Sequence, residues 1–412
     1  MRSALLAFAA ATGLAASAFA VASVPSGSDP GPLSRQANAQ RVAALMDIGH
    51  RMFFDPALSA SGAMSCATCH DPTYAFGPPN ALPVQLGGPH LDLPGVRAAP
   101  SIKYLQATPQ FSEHFFDSED EGDESVDNGP TGGLMWDGRA DRAQDQAGLP
   151  LLSPFEMANA TPADVVAAVK SAAYAGKFEA VFGPGIFDDP DAAFRGATEA
   201  LAAYEQSAED FYPYSSKYDA YLAGKAQLTA QEMRGLALFN AEGKGNCASC
   251  HVSQLANDGE PPQFTDFGLL AIGVPRNNAI PANADHNYFD LGACGPLRTD
   301  LAGRDEFCGL FRTPTLRNVA LRKTFFHNGE FHSLRDAVAF YATRDSDPAR
   351  WYPKAADGTV LKFNDLPQMY WGNINTDPPF GRKPGDPPAL SDAEIDDVVA
   401  FLGTLTDGYS GD

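Results

Sequence analysis

The distribution of hydrophobic residues along this 412-residue chain favours helices over strands. Helix-forming stretches follow Thr161, Thr229 and Ser391, and each of these residues precedes an acidic residue by three positions. This spacing is the capping box of a helix start. Alternating strand patterns are scarce, so the sequence predicts a mainly α fold with long loops. The predicted helices cover residues 42–54, 161–182, 190–206, 229–239, 333–343 and 391–405.

A weak internal duplication organises the chain. In each half, a helical run ending in Phe precedes a short glycine-bearing loop and a cysteine motif; the two runs are residues 42–54 and 232–239. A Tyr- and Ser-rich connector at 210–227 separates the halves. We therefore predict two similar domains, residues 21–212 and 213–412, behind a leader at 1–20.

The leader has the features of an export signal. Arg2 precedes an apolar run at 4–16, and a small-residue cleavage site ends at Ala20. An uncleaved anchor is the alternative, although this run is shorter than the ~20 residues that span a bilayer. No later stretch is long and apolar enough to cross a membrane. The sequence thus predicts a periplasmic protein with no membrane span.

The chain is strongly acidic, with 51 acidic and 29 basic side chains and a formal net charge of -22. This charge repels phosphate backbones, so it argues against nucleic acid and favours a basic protein or a small molecule as partner. Eight of the acidic residues fall within 113–127. A solvated loop is one interpretation of that segment. A docking surface for a basic redox protein, or a bound cation, is the other.

Four of the six cysteines occur in two copies of Cys-x-x-Cys-His, the attachment sequence of c-type haem. The two thiols add to the porphyrin vinyl groups, and the adjacent His ligates the iron. A thioredoxin-like pair or half a zinc site would not explain the His after both motifs. We predict one covalent haem in each domain. The attachment residues are Cys66, Cys69 and His70, and Cys247, Cys250 and His251.

Cys294 and Cys308 remain, with thirteen residues between them. In an oxidising compartment we expect a disulfide, which typically stabilises a protein by about 2–4 kcal/mol. Two free buried thiols are the alternative.

Three further motifs carry a family resemblance. They are Phe-Phe-Asp-Pro at 53–56 with Leu-Ser at 58–59, Trp-Asp-Gly-Arg-Ala at 136–140, and Thr-Pro-Thr-Leu-Arg-Asn-Val-Ala at 313–320. In this order they resemble the bacterial dihaem cytochrome c peroxidases, a family that includes the MauG branch. The resemblance extends from about residue 49 to 408. It implies a peroxide-reacting haem in the N-terminal half, an electron-storing haem in the C-terminal half, and a calcium ion between them.

The resemblance also assigns the residues of the reactive site. Trp136 matches the inter-haem tryptophan of the family, and Gln146 and Glu156 follow it by ten and twenty residues. Glu156 would take the first proton of bound peroxide and return it to the leaving oxygen, while Gln146 would orient the substrate. The alternatives are surface polar roles for Gln146 and Glu156, and core packing for Trp136.

The residue at one position near the second iron distinguishes the peroxidase branch of the family from the MauG branch. The peroxidase branch has Met fourteen residues after the His that matches His327, whereas this chain has Tyr341, as the MauG branch does. A phenolate ligand favours ferric and higher states of the iron. Core packing is the alternative, because Tyr341 shares a helix face with Leu334 and Val338. The other candidate ligands are Met369, His327 and His332.

Two parts of the family pattern match less closely. His90 stands where the peroxidase branch has a removable iron ligand, but MauG-type members lack one, and an ordinary loop histidine remains open. Ala98 stands where the family usually has Asn for calcium. The backbone carbonyls of Ala98, Arg322 and Thr324 would then be the calcium ligands.

We therefore predict a dihaem peroxidase that reduces hydrogen peroxide with electrons from a small redox protein. The alternatives are MauG-like oxidation of a protein substrate and a pure dihaem electron carrier. Glu156 and Gln146 favour an enzyme, since a carrier needs no acid–base pair above an iron. The tryptophan-modifying branch has a surface Trp where this chain has Gly245, which argues against oxidation of a distant protein residue.

Overall fold

Side-chain caps fix the helix starts, as the sequence predicts. In the computed structural model, Thr161, Thr229 and Ser391 each form a capping box with the acidic residue three positions on. The structure describes residues 34–116, 127–257 and 259–411. The predicted leader 1–20 and most of the acidic segment, residues 117–126, lie outside these ranges.

The described chain is mainly helical, which confirms the predicted fold class. The helices are α1 (Arg35–Phe53), α2 (Cys66–Cys69), α3 (Ala143–Leu152), α4 (Pro162–Ser171), α5 (Ala175–Phe182), α6 (Pro190–Glu205), α7 (Ala208–Phe211), α8 (Lys217–Leu222), α9 (Ala230–Asn240), α10 (Leu334–Thr343) and α11 (Asp392–Gly403). Two short antiparallel pairs join β1 (Leu86–Gly87) to β2 (Leu93–Pro94) and β3 (Leu269–Leu270) to β4 (Phe311–Arg312).

The prediction of one helix over 161–182 is wrong. Ala172 has an extended backbone and separates α4 from α5. The buried Tyr174 lies in the break, and its hydroxyl donates to Asp55 Oδ2 at 2.8 Å. This long-range contact overrides the helix propensity of an Ala-rich stretch. The sequence also gave no prediction for α3, because Pro150 within it suggests a helix break.

Two glycines allow close helix crossings at equivalent places in the two halves. A Cβ on Gly49 of α1 would lie 1.9 Å from the carbonyl oxygen of Ala200 in α6. A Cβ on Gly235 of α9 would lie 2.0 Å from the carbonyl oxygen of Asp397 in α11. Each glycine precedes a fully buried phenylalanine, Phe53 or Phe239, by four residues. The two halves therefore repeat one packing arrangement.

The buried hydrophobic residues form one cluster within 45–211, a second within 218–405 and a third within 269–374. Cys294 and Cys308 form a disulfide in the third cluster. Residues Arg41–Asp412 make one compact unit; of the other unit, Met1–Gln40, residues 34–40 are described. The domain boundary at 212/213 remains a prediction.

Gly235→Ala should destabilise the protein by about 1–3 kcal/mol, the usual cost of overpacking, because the new methyl group meets the backbone of α11. In an open helix the same change stabilises by up to about 1 kcal/mol. Gly176→Ala in α5 is the matched control, since a Cβ there meets nothing within 4 Å. Chemical denaturation of both haem-loaded variants measures the effect. Equal stability of the two variants would contradict the close crossing.

Candidate active site

The first cysteine motif begins at α2, directly after Ser65. His70 follows α2, and its Nδ1 lies 3.0 Å from the carbonyl oxygen of Phe76. Because a carbonyl only accepts hydrogen bonds, Nδ1 carries the proton and Nε2 keeps a free lone pair. Burial lowers the pKa of His70, which favours the neutral imidazole that binds metals.

The second motif repeats this arrangement. Nδ1 of His251 donates to the carbonyl oxygen of Phe264 at 2.9 Å, and burial lowers the pKa of His251 to about 4. Phe76 and Phe264 both have left-handed backbones, with φ of 52° and 53°, which are uncommon for bulky residues. The same backbone turn thus directs a carbonyl at each imidazole, which fixes its tautomer and orientation.

A cavity of about 1400 Å³ opens beside the second motif. His251 and both cysteines of the motif line it, and so does Tyr341 from α10. The ring of Tyr341 stacks on Phe380 with 5.4 Å between centroids, and burial raises the pKa of its phenol. The structure thus brings His251 and Tyr341 to one cavity, while iron ligation by Tyr341 remains a prediction.

The other candidate ligands are placed less favourably. Met369 is 73% exposed, and His332 is also exposed; both lie outside the cavity lining. His327 is buried and lines the cavity, but its ring stacks on Phe311 with 3.6 Å between centroids.

Two arginines at the cavity favour an anionic ligand. Arg312 and Arg322 line it, and desolvation lowers the pKa of each guanidinium to about 10. Neither forms an ion pair with a carboxylate of the described residues, whereas the buried Arg317 is paired with Asp219. Arg312 is buried and Arg322 is half-buried, and charges removed from water are normally paired. Haem carries two propionates, so the thiols, imidazole, cavity and unpaired cations together fit a haem.

Trp136 lies at the same cavity and is 9% exposed. Its indole Nε1 donates to the carbonyl oxygen of Ala98 at 2.8 Å. The next residue, Asp137, is fully buried and forms ion pairs with Arg97 and Arg139. The indole is therefore held in a fixed orientation at the wall of the cavity.

Glu156 and Gln146 belong to the first half. Gln146 lies in α3, and its only side-chain hydrogen bond among the described residues is a long one, 3.4 Å from Nε2 to Met135 Sδ. Burial raises the pKa of Glu156, while the positive charge of Arg139 lowers it. The charge of Glu156 also acts on the thiols of the first motif. A half-buried carboxyl group thus lies beside the thiols of the first motif.

The β1–β2 hairpin holds the backbone of Glu156. Gly88 N donates to the carbonyl oxygen of Glu156 at 2.8 Å, and a Cβ on Gly87 would lie 2.9 Å from the Glu156 Cα. His90 lies in the turn of this hairpin and is exposed. Its role as a removable iron ligand remains a prediction.

Two of the three carbonyls predicted to bind calcium already accept hydrogen bonds. Ala98 O accepts from Trp136, and Thr324 O accepts from Arg322 Nε at 3.2 Å. Within residues 34–116, 127–257 and 259–411, no group of three or more His, Cys, Asp or Glu side chains is placed to hold a metal ion.

Glu205 is a site residue that sequence reasoning missed. It ends α6, burial raises its pKa to about 8, and its charge acts on the thiol of Cys66. Sequence spacing gives no signal for it, because 139 residues separate it from Cys66. Sequence reasoning also missed the positive charges of Arg312 and Arg322 at the cavity, neither of which has a carboxylate partner among the described residues.

A family profile for di-haem cytochrome c peroxidase matches residues 43–227. The methylamine utilization protein MauG of Paracoccus denitrificans is 36% identical, covering 88% of this chain and 89% of its own. Cytochrome c551 peroxidase of Pseudomonas aeruginosa is 30% identical over 71% of this chain and 70% of its own. The crystal structure of the diheme peroxidase BthA from Burkholderia thailandensis is 44% identical with a TM-score of 0.77, covering 88% of this chain and 86% of that one.

Glu205→Gln should stabilise the protein, with a gain that grows with pH. Native Glu205 stays protonated up to about pH 8, whereas in the unfolded chain it ionises near its ordinary value of 4.5. Stability is therefore lost as pH rises from 4.5 to about 8, by a few kcal/mol at most.

Thermal denaturation across this pH range measures the gain, and Glu179→Gln, an exposed position on α5, is the control. A gain that does not change with pH would contradict the buried neutral carboxyl group.

Proposed function

Because the chain belongs to the di-haem cytochrome c peroxidase family, we propose that it reduces hydrogen peroxide at a haem attached to Cys66, Cys69 and His70. The balanced reaction takes one peroxide, two protons and two electrons to two water molecules. The observation that carries the proposal is the half-buried Glu156 side chain beside the first motif, with its raised pKa. A pure electron carrier has no use for such a group.

A haem held there supplies an iron that binds an oxygen of the substrate and exchanges electrons with it. Glu156 transfers the proton. Its carboxylate takes a proton from one oxygen of hydrogen peroxide and returns it to the other oxygen, which leaves as water. Burial moves its pKa towards neutrality, where a group that both accepts and donates a proton is most effective.

Gln146 positions the substrate. Its amide makes only the long contact with Met135 Sδ among the described residues, so its N–H groups remain able to donate to a peroxide oxygen. The hairpin that clamps Glu156 through Gly87 and Gly88 keeps the carboxyl group in place. Together these contacts hold an acid–base group and a donor in a preorganised arrangement.

The second haem would be held by Cys247, Cys250, His251 and Tyr341. Support comes from the cavity that His251 and Tyr341 share and from the exposure of Met369. Trp136 lines this cavity as well, and its fixed indole suits a relay between the two halves.

Export to the periplasm and a small redox protein as electron donor belong to the same proposal. The net charge of -22 favours a basic donor. Among the described residues, no helix has the length and apolar character of a membrane span.

A second candidate is MauG-like oxidation of residues in a protein substrate. Tyr341 and the 36% identity to MauG favour it. Gly245 stands where the tryptophan-modifying branch has a surface Trp. A Cβ at Gly245 would lie 2.7 Å from the Leu238 carbonyl oxygen. This close contact argues against a side chain that could pass electrons to the surface at that position. Any such oxidation would need another route to the surface.

Glu156→Gln should keep both haems but slow the reaction with peroxide by about 10²–10⁴-fold, the usual loss for an acid–base group. Stopped-flow mixing of the diferric protein with peroxide, followed at the haem absorption band, gives the rate. Glu179→Gln is the exposed control. An unchanged rate in Glu156→Gln would place the proton route elsewhere.

Tyr341→Phe should open or exchange one coordination position of the second iron, and Tyr341→Met should raise its reduction potential. Electron paramagnetic resonance of the ferric protein and a redox titration measure these changes. Tyr352→Phe is the matched control, because this tyrosine is buried outside the cavity lining and donates to the carbonyl oxygen of Gly273. If Tyr341→Phe keeps the native signal and potential, Tyr341 is a core residue and not a ligand.

A further inference from the structure

The predicted calcium position is already occupied by a positive charge of the chain itself. Arg322 Nε donates to Thr324 O at 3.2 Å, and Arg322 Nη2 lies 3.4 Å from Ala99 O. The neighbouring carbonyl, Ala98 O, accepts from the Trp136 indole. Two of the three oxygens expected to face a calcium ion, Ala98 O and Thr324 O, therefore face nitrogen donors.

The guanidinium of Arg322 keeps its charge at neutral pH, since even its lowered pKa is about 10. A second cation follows directly. Lys323 Nζ donates to the Pro79 carbonyl oxygen at 2.9 Å and lies 4.3 Å from the centroid of the Tyr74 ring. A divalent cation placed between Ala98 and Thr324 would be repelled by the Arg322 guanidinium, which contacts Thr324 O.

The oxygen set is also poor for calcium, which takes six to eight oxygen ligands and usually several carboxylates. Ala98 has no side-chain oxygen. Thr324 Oγ1 is buried without a hydrogen-bond partner among the described residues, but a single neutral hydroxyl brings no negative charge. The residues present do not fit a calcium ion.

We infer that Arg322 supplies, as part of the chain, the positive charge that the family resemblance assigns to calcium, and that no calcium binds between Ala98 and Thr324. The guanidinium also ties residues 98–99 to residues 322–324. Because Ala98 holds the Trp136 indole and donates its N–H to the carbonyl oxygen of His327 at 2.7 Å, Arg322 positions the segment between the two halves. The inference does not depend on peroxide being the substrate.

Metal analysis of the haem-loaded protein tests this directly. The native protein is equilibrated with excess calcium chloride, desalted and measured by mass spectrometry for calcium, and a second sample is titrated calorimetrically with calcium chloride. We expect no calcium above background and no binding heat. A calcium chelator should leave the visible spectrum unchanged. One calcium per chain, removed by the chelator with a spectral change, would overturn the inference.

The double variant Ala98→Asn/Arg322→Thr tests the cause. It removes the guanidinium, frees Thr324 O and Ala99 O, and adds a side-chain amide oxygen, so we expect it to bind one calcium per chain in the same titration. Arg322→Lys keeps the positive charge and should bind none. If the double variant folds with both haems but binds no calcium, Arg322 is not what replaces the ion. If it fails to fold, Arg322→Gln takes its place in the titration.

Discussion

The hydrogen bond from a histidine Nδ1 to a phenylalanine carbonyl is the interaction on which both halves of this protein depend. It sets the tautomer of His70 and of His251 and leaves the Nε2 lone pair of each free to bind a haem iron. The carbonyls are aimed by left-handed backbones that bulky residues seldom adopt. Such a conformation persists only where packing enforces it. The ring of Phe76 contacts Phe211 with 4.2 Å between centroids, and the ring of Phe264 contacts Tyr218. The cores of the two halves thus determine how each imidazole is presented.

The arginines that are shielded from water fall into two groups in this structure. In the packed interior, buried cations are paired with carboxylates, as Arg97 is with Asp290 and Asp137. At the cavity beside the second motif, Arg312 and Arg322 have no carboxylate partners among the described residues. In a chain with 22 more acidic than basic side chains, this arrangement cannot come from a shortage of carboxylates. It marks the cavity as a place where an anionic group such as a haem propionate completes the electrostatic balance.

Four glycines allow close contacts between backbone segments because they have no side chain. Gly49 and Gly235 let the helices that lead to the two motifs cross their partners at backbone distance. Gly87 brings the hairpin onto Glu156, and Gly245 leaves no room for a side chain beside the second motif. Gly49 and Gly87 set the geometry of the predicted peroxide site and its scaffold, and Gly235 sets the equivalent helix crossing in the second half. Gly245 constrains where electrons can leave the second half.

Local patterns in the sequence were sufficient for the helix caps, the mainly α fold and the two haem attachment motifs, because each of these depends on residues a few positions apart. The resemblance to a family added Trp136, Gln146, Glu156 and Tyr341 by their offsets. The tertiary structure decided the break before α5, the acceptors of both histidines, the position of Glu205 beside Cys66 and the surroundings of Arg322. These features join residues that are distant in sequence, such as Trp136 to Ala98 across 38 positions and Arg322 to Ala99 across 223. Burial and pairing of charge depend on such contacts, and spacing along a chain does not encode them.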